Sequence, residues 1–553
     1  MRGGYKRGSK AAKVAAVALV ALLGAGGAQA YKFNLGPESD WELSLDNSIQ
    51  YTIGWRMEER DMRLANHPFF AMGNYKFDKG DVVTNRIQDL IEFQGAYKGN
   101  MGFRTTASIW KDWAYDDDVK TNPAFCVIPG CGISYTGGQY SDYTKRYFLQ
   151  GGEFLDAFLF WNTNIGEIPV YLKAGALSQY WGNAFFFGFS NIAYSQQPVD
   201  FIKGFTQPGS EVKELFLPRK QVLIAADISP ELSVAAQYFF EFVPNRYPEA
   251  GTYFGFFDVL FNGNQNSGLF FGLNDGMQNP PDNNHNWGLK VSWSPSWAGG
   301  DMGFFYRQLD EVDPWVLLDP VSGNLNMRFA EKVKLVGFSY EKTFGLYSVG
   351  FELNKRTGTA LNTALLPGTQ GASGDIINFD INTFVQLGNS PLWDSGTLLA
   401  ELAGTHLKRV TGNPGMYQGV GNAAVGCASA RNWRDGCSTK DWLGLAFLFV
   451  PQWQQVWPGV DLEAPFSYTY GLNGNSPIRA SGFYAEGTNI FSIGIEAIYL
   501  SKHSVSLQYN GYHWRTGDTG SFGFGPAYAG FGGNGPVGVN DRDWLQLQFK
   551  TSF

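Results

Sequence analysis

The chain has 553 residues, a net charge of -8 and a sequence pI near 5.3, with 44% hydrophobic, 16% aromatic and 17% charged residues. The acidic balance excludes nucleic acid as the partner, because a phosphate backbone needs a basic surface. The charged fraction lies well under the roughly 25% usual for soluble domains, and there are 69 glycines.

Residues 1–30 read as a signal peptide. Arg2, Lys6, Arg7, Lys10 and Lys13 form a basic start, Val14–Leu23 an apolar core, and Ala28-Gln29-Ala30 a small-residue end, leaving Tyr31 as the first mature residue. The alternative is a membrane anchor, which needs about 20 apolar residues. No second long apolar run follows, so the mature chain, residues 31–553, cannot span a membrane by helices. Strands closed into a barrel are the other spanning architecture.

Strand periodicity then recurs along the chain. Phe103, Thr105, Ala107 and Ile109 alternate with Arg104, Thr106 and Ser108. Tyr347, Val349, Phe351 and Leu353 alternate with Ser348, Gly350 and Glu352. Phe379, Ile381, Thr383, Val385 and Leu387 alternate with Asp380, Asn382 and Gln386. Phe491 to Tyr499 and Val505 to Tyr509 behave alike. Val333–Phe338 and Leu398–Thr405 alternate poorly. The final strand places Leu545, Leu547, Phe549, Thr551 and Phe553 on one face and Trp544, Gln546, Gln548 and Lys550 on the other. Its terminal Phe resembles the signal read by the bacterial barrel-assembly machinery. Apolar faces toward lipid and polar faces toward a lumen predict a single transmembrane antiparallel β-barrel of about 18 strands (range 14–18).

The connections alternate in length. Lys98–Asn100, Ser229–Glu231, Thr343–Gly345 and Ser501–His503 are short. Gly54–Asn85, Ala114–Thr144, Pro244–Asn284, Lys408–Thr439 and Arg515–Asn540 are long and polar, which predicts long extracellular loops and periplasmic termini. Cys126 with Cys131 and Cys427 with Cys437 fall in two of these loops, and an even count in an exported chain predicts two local disulfides. Asp116-Asp117-Asp118 is either a solvated loop tip or a site for cations that bridge lipopolysaccharide.

The connection Gln179–Pro218 is unlike the others. It carries Trp181, Phe185, Phe186, Phe187 and Phe189, then Asp200, then Glu211, Lys213 and Glu214. Aromatic surface of this size is an aggregation liability in water, so the loop is expected to fold inward. It then either lines a path for a hydrophobic solute or only packs on the wall, with Glu211, Lys213 and Glu214 paired among themselves. The 5 His form no metal-ligand spacing, and neither a nucleophile elbow nor a phosphate loop occurs. We therefore expect no enzyme, cofactor or metal.

Phe33-Asn34-Leu35-Gly36, Asn74 to Asp81, Trp181-Gly182, Pro198-Val199-Asp200, Pro208-Gly209, Glu211, Lys213-Glu214, Leu217-Pro218 and Gly251 to Phe254 stand in an order that resembles the bacterial outer-membrane family catalogued as domain of unknown function 1302. The chain departs from that pattern at Gly175-Ala176-Leu177, which lacks an Arg, and at Asn183, which stands in place of an acid. The resemblance implies outer-membrane residence beside lipid and lipopolysaccharide, movement of hydrophobic small molecules (sterol-, terpenoid- or alkane-like) and companionship with a periplasmic lipid-carrier protein. The alternatives are a general porin for polar solutes and a structural or lipid-export component.

Overall fold

The computed structural model describes residues 31–127, 135, 138–208, 212–255, 257–258, 281, 286–323, 325–478, 484–516 and 535–553, with short strand pieces at 265–266, 273–274, 278–279, 519–521 and 526–528. The signal peptide 1–30 and Cys131 lie outside the described residues.

Eighteen antiparallel strands form the wall. In chain order they are β1 (Trp41–Arg56), β2 (Val82–Tyr97), β3 (Met101–Asp112), β4 (Gln150–Ile165), β5 (Ile168–Leu177), β6 (Arg219–Ser229), β7 (Leu232–Phe239), β8 (Trp287–Trp293) and β9 (Asp301–Leu309). They continue with β10 (Val333–Phe344), β11 (Tyr347–Ala360), β12 (Ser373–Leu387), β13 (Ser395–Gly412), β14 (Asp441–Trp457), β15 (Val460–Glu463 and Phe466–Asn473, interrupted at Ala464-Pro465), β16 (Asn489–Tyr499), β17 (His503–His513) and β18 (Trp544–Ser552). Each pairs with its neighbours in sequence, and β18 returns to β1 from Ser48↔Ser552 to Arg56↔Trp544, which closes the ring. The sheet therefore has no free end to its ladder, as a lipid-facing backbone requires.

The outward face is apolar. Leu547, Phe549, Ile493, Leu507 and Ile381 are exposed on it, and Trp41, Trp161, Tyr347, Trp457 and Tyr499 ring its inner margin. Aromatic girdles of this kind sit at membrane interfaces. The two poorly alternating stretches are full strands, β10 and β13. Their inward residues Leu335 and Ala403 are buried and apolar, because another part of the chain packs on them.

The short turns lie at the end that holds Phe553, whose backbone exchanges hydrogen bonds with Asn47 at 2.9 and 3.0 Å. The long loops lie at the other end: L1 (57–81), L2 (113–149), L3 (178–218), L4 (240–286), L5 (310–332), L6 (361–372), L7 (413–440), L8 (474–488) and L9 (514–543). Cys427 and Cys437 form a disulfide in L7. Asp116 pairs with Lys76, and Asp117 lies 3.8 Å from Lys145, so these loop acids are matched by lysines.

L1, L2, L4 and L9 lock together over the mouth. Phe77, Tyr115, Tyr140, Tyr253, Trp514 and Trp544 belong to one buried cluster. Three loop carboxyls are pushed up to about 7, each chiefly by burial: Asp258, which accepts the Met72 N–H; Glu311, which accepts from Thr359 and Ala360; and Glu58, which also feels Asp543 and Asp541. Each binds its proton more tightly folded than unfolded. The stabilisation is complete below the unfolded carboxyl value of about 4 and is lost as pH rises through 7. The cap is therefore expected to resist an acid-tolerant protease better at pH 5 than a matched digestion at pH 8 shows. Asp258→Asn should flatten that difference; an equal pH dependence in wild type and variant would contradict the assignment.

Candidate functional site

L3 leaves the wall at Leu177 and runs into the lumen. Its first stretch is held by two glutamates on strands that run the same way on either side of β12. Glu352 of β11 accepts the backbone N–H groups of Asn183, Ala184 (3.1 Å) and Ile192 (2.8 Å). Glu401 of β13 accepts those of Phe185, Phe186 (2.9 Å) and Phe187 (2.7 Å). A stretch of chain without helix or strand partners must satisfy its N–H groups elsewhere, and carboxylates are strong acceptors for that purpose. Carbonyls of the same stretch go to wall arginines. Arg307 donates to Ile192 O and Tyr194 O at 2.7 and 2.8 Å, and Arg356 to Phe189 O at 2.6 Å.

The Trp181-Gly182 pair has a local reason. Gly182 has φ +106°, and a Cβ there would collide with the Glu352 carboxylate. Trp181 is buried with Phe305, Ile192 and Leu335, over Gly288 of β8, where a Cβ would come within 2.7 Å of its ring. Phe187 is buried edge-on against the stacked pair Trp442 and Tyr484, at ring distances of 5.2 and 5.4 Å. Phe185, Phe186 and Phe189 are half-buried.

The second stretch reaches the far wall. Asp200 caps the short helix Phe201–Thr206 by accepting the Lys203 N–H at 3.1 Å, and pairs with Arg246 of L4 at 3.0 Å. Pro208 O accepts from Gln546 of β18 at 3.2 Å. Glu214 is buried and takes a hydrogen bond from Gln88 of β2. Glu211 and the Lys213 side chain lie outside the described residues. β2 and β11 stand nine strands apart in a ring of eighteen, so L3 crosses the barrel from side to side.

The lumen is not uniformly polar, as simple alternation predicts. Phe158, Phe160, Leu223, Phe384, Leu448 and Val450 point inward and are half-buried. Arg104, Glu92 and Lys173 stand among them, with Lys173 Nζ 5.4 Å from the Phe158 ring. Glu352, Glu401, Arg307 and Arg356 were not singled out from sequence. The one available signal was a charged residue at an inward-facing position of a strand. His406 meets Asp441 at 2.6 Å across β13 and β14 on the outer face, and no group of metal-ligating side chains forms among the described residues.

The family model described as protein of unknown function (DUF1302) matches residues 11–553. The chain belongs to the DUF1302 family. A closed barrel with an apolar outer band and interfacial aromatics is a bacterial outer-membrane architecture, and this member resides in that membrane. Solved structures similar to it include Pseudomonas aeruginosa OpdK with vanillate (10% identity over 92% of this chain and 98% of that one, TM-score 0.39). Acinetobacter baumannii OccAB4 (9%, 94% and 100%, TM-score 0.41) and a BenF-like porin from Pseudomonas fluorescens (9%, 93% and 98%, TM-score 0.40) are others. No curated protein matches the chain in sequence.

Proposed function

We propose that the protein is an outer-membrane channel for passive movement of hydrophobic or amphipathic small molecules of sterol-, terpenoid- or alkane-like character, with L3 as its constriction. The observation that carries this reading is the apolar inner wall beside L3: Phe158, Phe160, Leu223, Phe384 and Leu448 are half-buried on the lumen side. A general porin keeps that face polar, whereas a site for apolar ligands lines it with aliphatic and aromatic groups and a few polar ones. Phe185 and Phe186, half-buried on the crossing loop, supply aromatic surface next to it. A periplasmic lipid-carrier protein would collect the solute at the inner rim.

Uptake of tritiated progesterone and of labelled hexadecane by a deletion strain tests the reading. Complementation with wild type should restore uptake. The Phe185→Ser/Phe186→Ser/Phe187→Ser variant should restore less than about a tenth of it, since each loses roughly 1.5–3 kcal/mol of apolar contact. Full restoration by the triple variant would refute the role of the loop. Steady ion conductance of wild type in planar bilayers, without hydrophobic uptake, would favour the polar-solute porin.

A further inference from the structure

The wall is incomplete where L3 begins. β4 has 16 residues and β5 only 10. Their pairing runs from Ile165↔Ile168 to Ala157↔Ala176 and stops. Beyond it, the segment 150–154 pairs with β3 on one edge, from Lys111↔Gln150 to Ala107↔Phe154. The other edge has no backbone partner among the described residues. The last tie across the gap is Ser178 N–H to Asp156 Oδ1 at 3.3 Å. A bulge at this point shifts the β3–β4 register between Thr105 and Ala107, and bulges of this kind end pairing and re-aim side chains.

Depth decides what the gap faces. A tilted strand of 9–11 residues crosses the hydrocarbon, so the outer end of β5 marks its outer boundary. Unpaired backbone is not tolerated in hydrocarbon itself, but at the boundary it meets head groups and water. The lips of the gap are nevertheless apolar. Phe154 is 77% exposed, more than any other large hydrophobic side chain on a described strand, and Ile109, Tyr238 and Phe240 are exposed in the same sector. An anchoring girdle accounts for exposed aromatics. It does not account for an open edge behind them.

Behind Phe154 the gap is shut from the lumen side by charge. Glu153 points inward and bonds Lys203 of the L3 helix and Arg246 of L4, both at 2.7 Å. Lys203 and Glu153 are almost fully buried. Lys203 also lies over the Trp110 ring and Arg246 over that of Tyr147, at 5.3 and 4.2 Å. The contact joins loop to wall through side chains alone, so it can part without unpairing any strand.

We propose that the gap beside the outer half of β4 is a lateral portal through which apolar solute passes between the outer leaflet and the lumen, with Glu153, Lys203 and Arg246 as its latch. The inference rests on the proposed transport of hydrophobic solutes. Such a solute partitions into the outer leaflet and meets Phe154 before it meets the capped mouth.

The test is the same progesterone and hexadecane uptake, with a Glu153→Cys/Lys203→Cys variant that ties the L3 helix to the wall. Oxidised, it should lose at least tenfold of uptake; dithiothreitol should restore it, with wild type indifferent to both treatments. Uptake unchanged by the crosslink overturns the portal alone. Wild-type uptake no better than the deletion strain overturns the transport reading and the portal with it. Should the reduced double variant be inactive, Phe154→Glu decides. It lies on the lipid side, away from the latch, and a charge at that lip should cut uptake about fivefold while leaving bilayer conductance unchanged. Normal uptake by a folded Phe154→Glu barrel also overturns the portal.

Discussion

Replacing Glu352 and Glu401 together by alanine is expected to free L3 from the wall and turn a constricted barrel into a steadily conducting one. Each carboxylate gathers three backbone N–H groups at buried positions. Hydrogen bonds to charged groups contribute about 1.5–3 kcal/mol each, and an abandoned buried donor costs a similar amount. The three at one carboxylate share an acceptor and do not add, so roughly 3–5 kcal/mol per site is a fair expectation. At about 1.4 kcal/mol per tenfold, one substitution already shifts the loop population by more than a hundredfold. Glutamine should do less, because it keeps one acceptor oxygen. Its amide adds donors where the loop presents donors, so Glu401→Gln is expected to fall between wild type and Glu401→Ala. Single-channel conductance in planar bilayers measures the result, with heat-modifiable gel mobility as proof that the barrel is closed. Wild-type conductance from a folded double-alanine variant would show that L3 is held by something else.

The same contacts show what sequence can and cannot reveal. Alternation places Glu352 on the lumen face, between Phe351 and Leu353. It says nothing of Asn183, 169 residues earlier, whose N–H it accepts. Period-2 reading depends on each strand having one wet face. It succeeds at β11, β12 and β18, whose inner residues are largely polar. It weakens at β10 and β13 because Leu335 and Ala403 bury against the crossing loop, so both faces are apolar. Poor alternation at Val333–Phe338 and Leu398–Thr405 was thus the trace of L3 on the wall. The aromatic content of L3 made its inward course legible; its partners were not, since Gln88 lies 126 residues from Glu214 and Gln546 lies 338 from Pro208. The short β5 was equally hidden, because the turn signals mark where a strand ends and not whether its neighbour continues.

Arg56→Ala is expected to open the outer cap while leaving the barrel closed. Arg56 ends β1 and is fully buried. Its guanidinium donates to Glu58 O (3.0 Å), Asn74 O (3.2 Å), Phe77 O (2.8 Å), Asn74 Oδ1 (3.1 Å), Asp541 O (2.9 Å) and Asp541 Oδ2 (3.0 Å). One planar group thereby ties L1 to L9. Lysine cannot replace it, since a single ammonium lacks the forked set of donors. Removal leaves Asp541 buried without its main counter-charge, at a cost of about 3–5 kcal/mol. Asp541 also accepts the Asp61 N–H at 2.7 Å and Asn74 Nδ2 at 3.1 Å, so the damage spreads along L1. It stops at the ladder, where β1 and β18 stay paired through their own backbones. Trypsin cleavage at Arg60, Arg63 or Lys79 should speed up at least tenfold, the equivalent of about 1.4 kcal/mol of easier opening, with unchanged heat-modifiable mobility. Adding Asp541→Ala should recover part of the resistance, because losing both partners strands no charge. Arg56→Ala digested no faster than wild type would mean that the aromatic cluster of Tyr115, Tyr253 and Trp544 holds the cap without it.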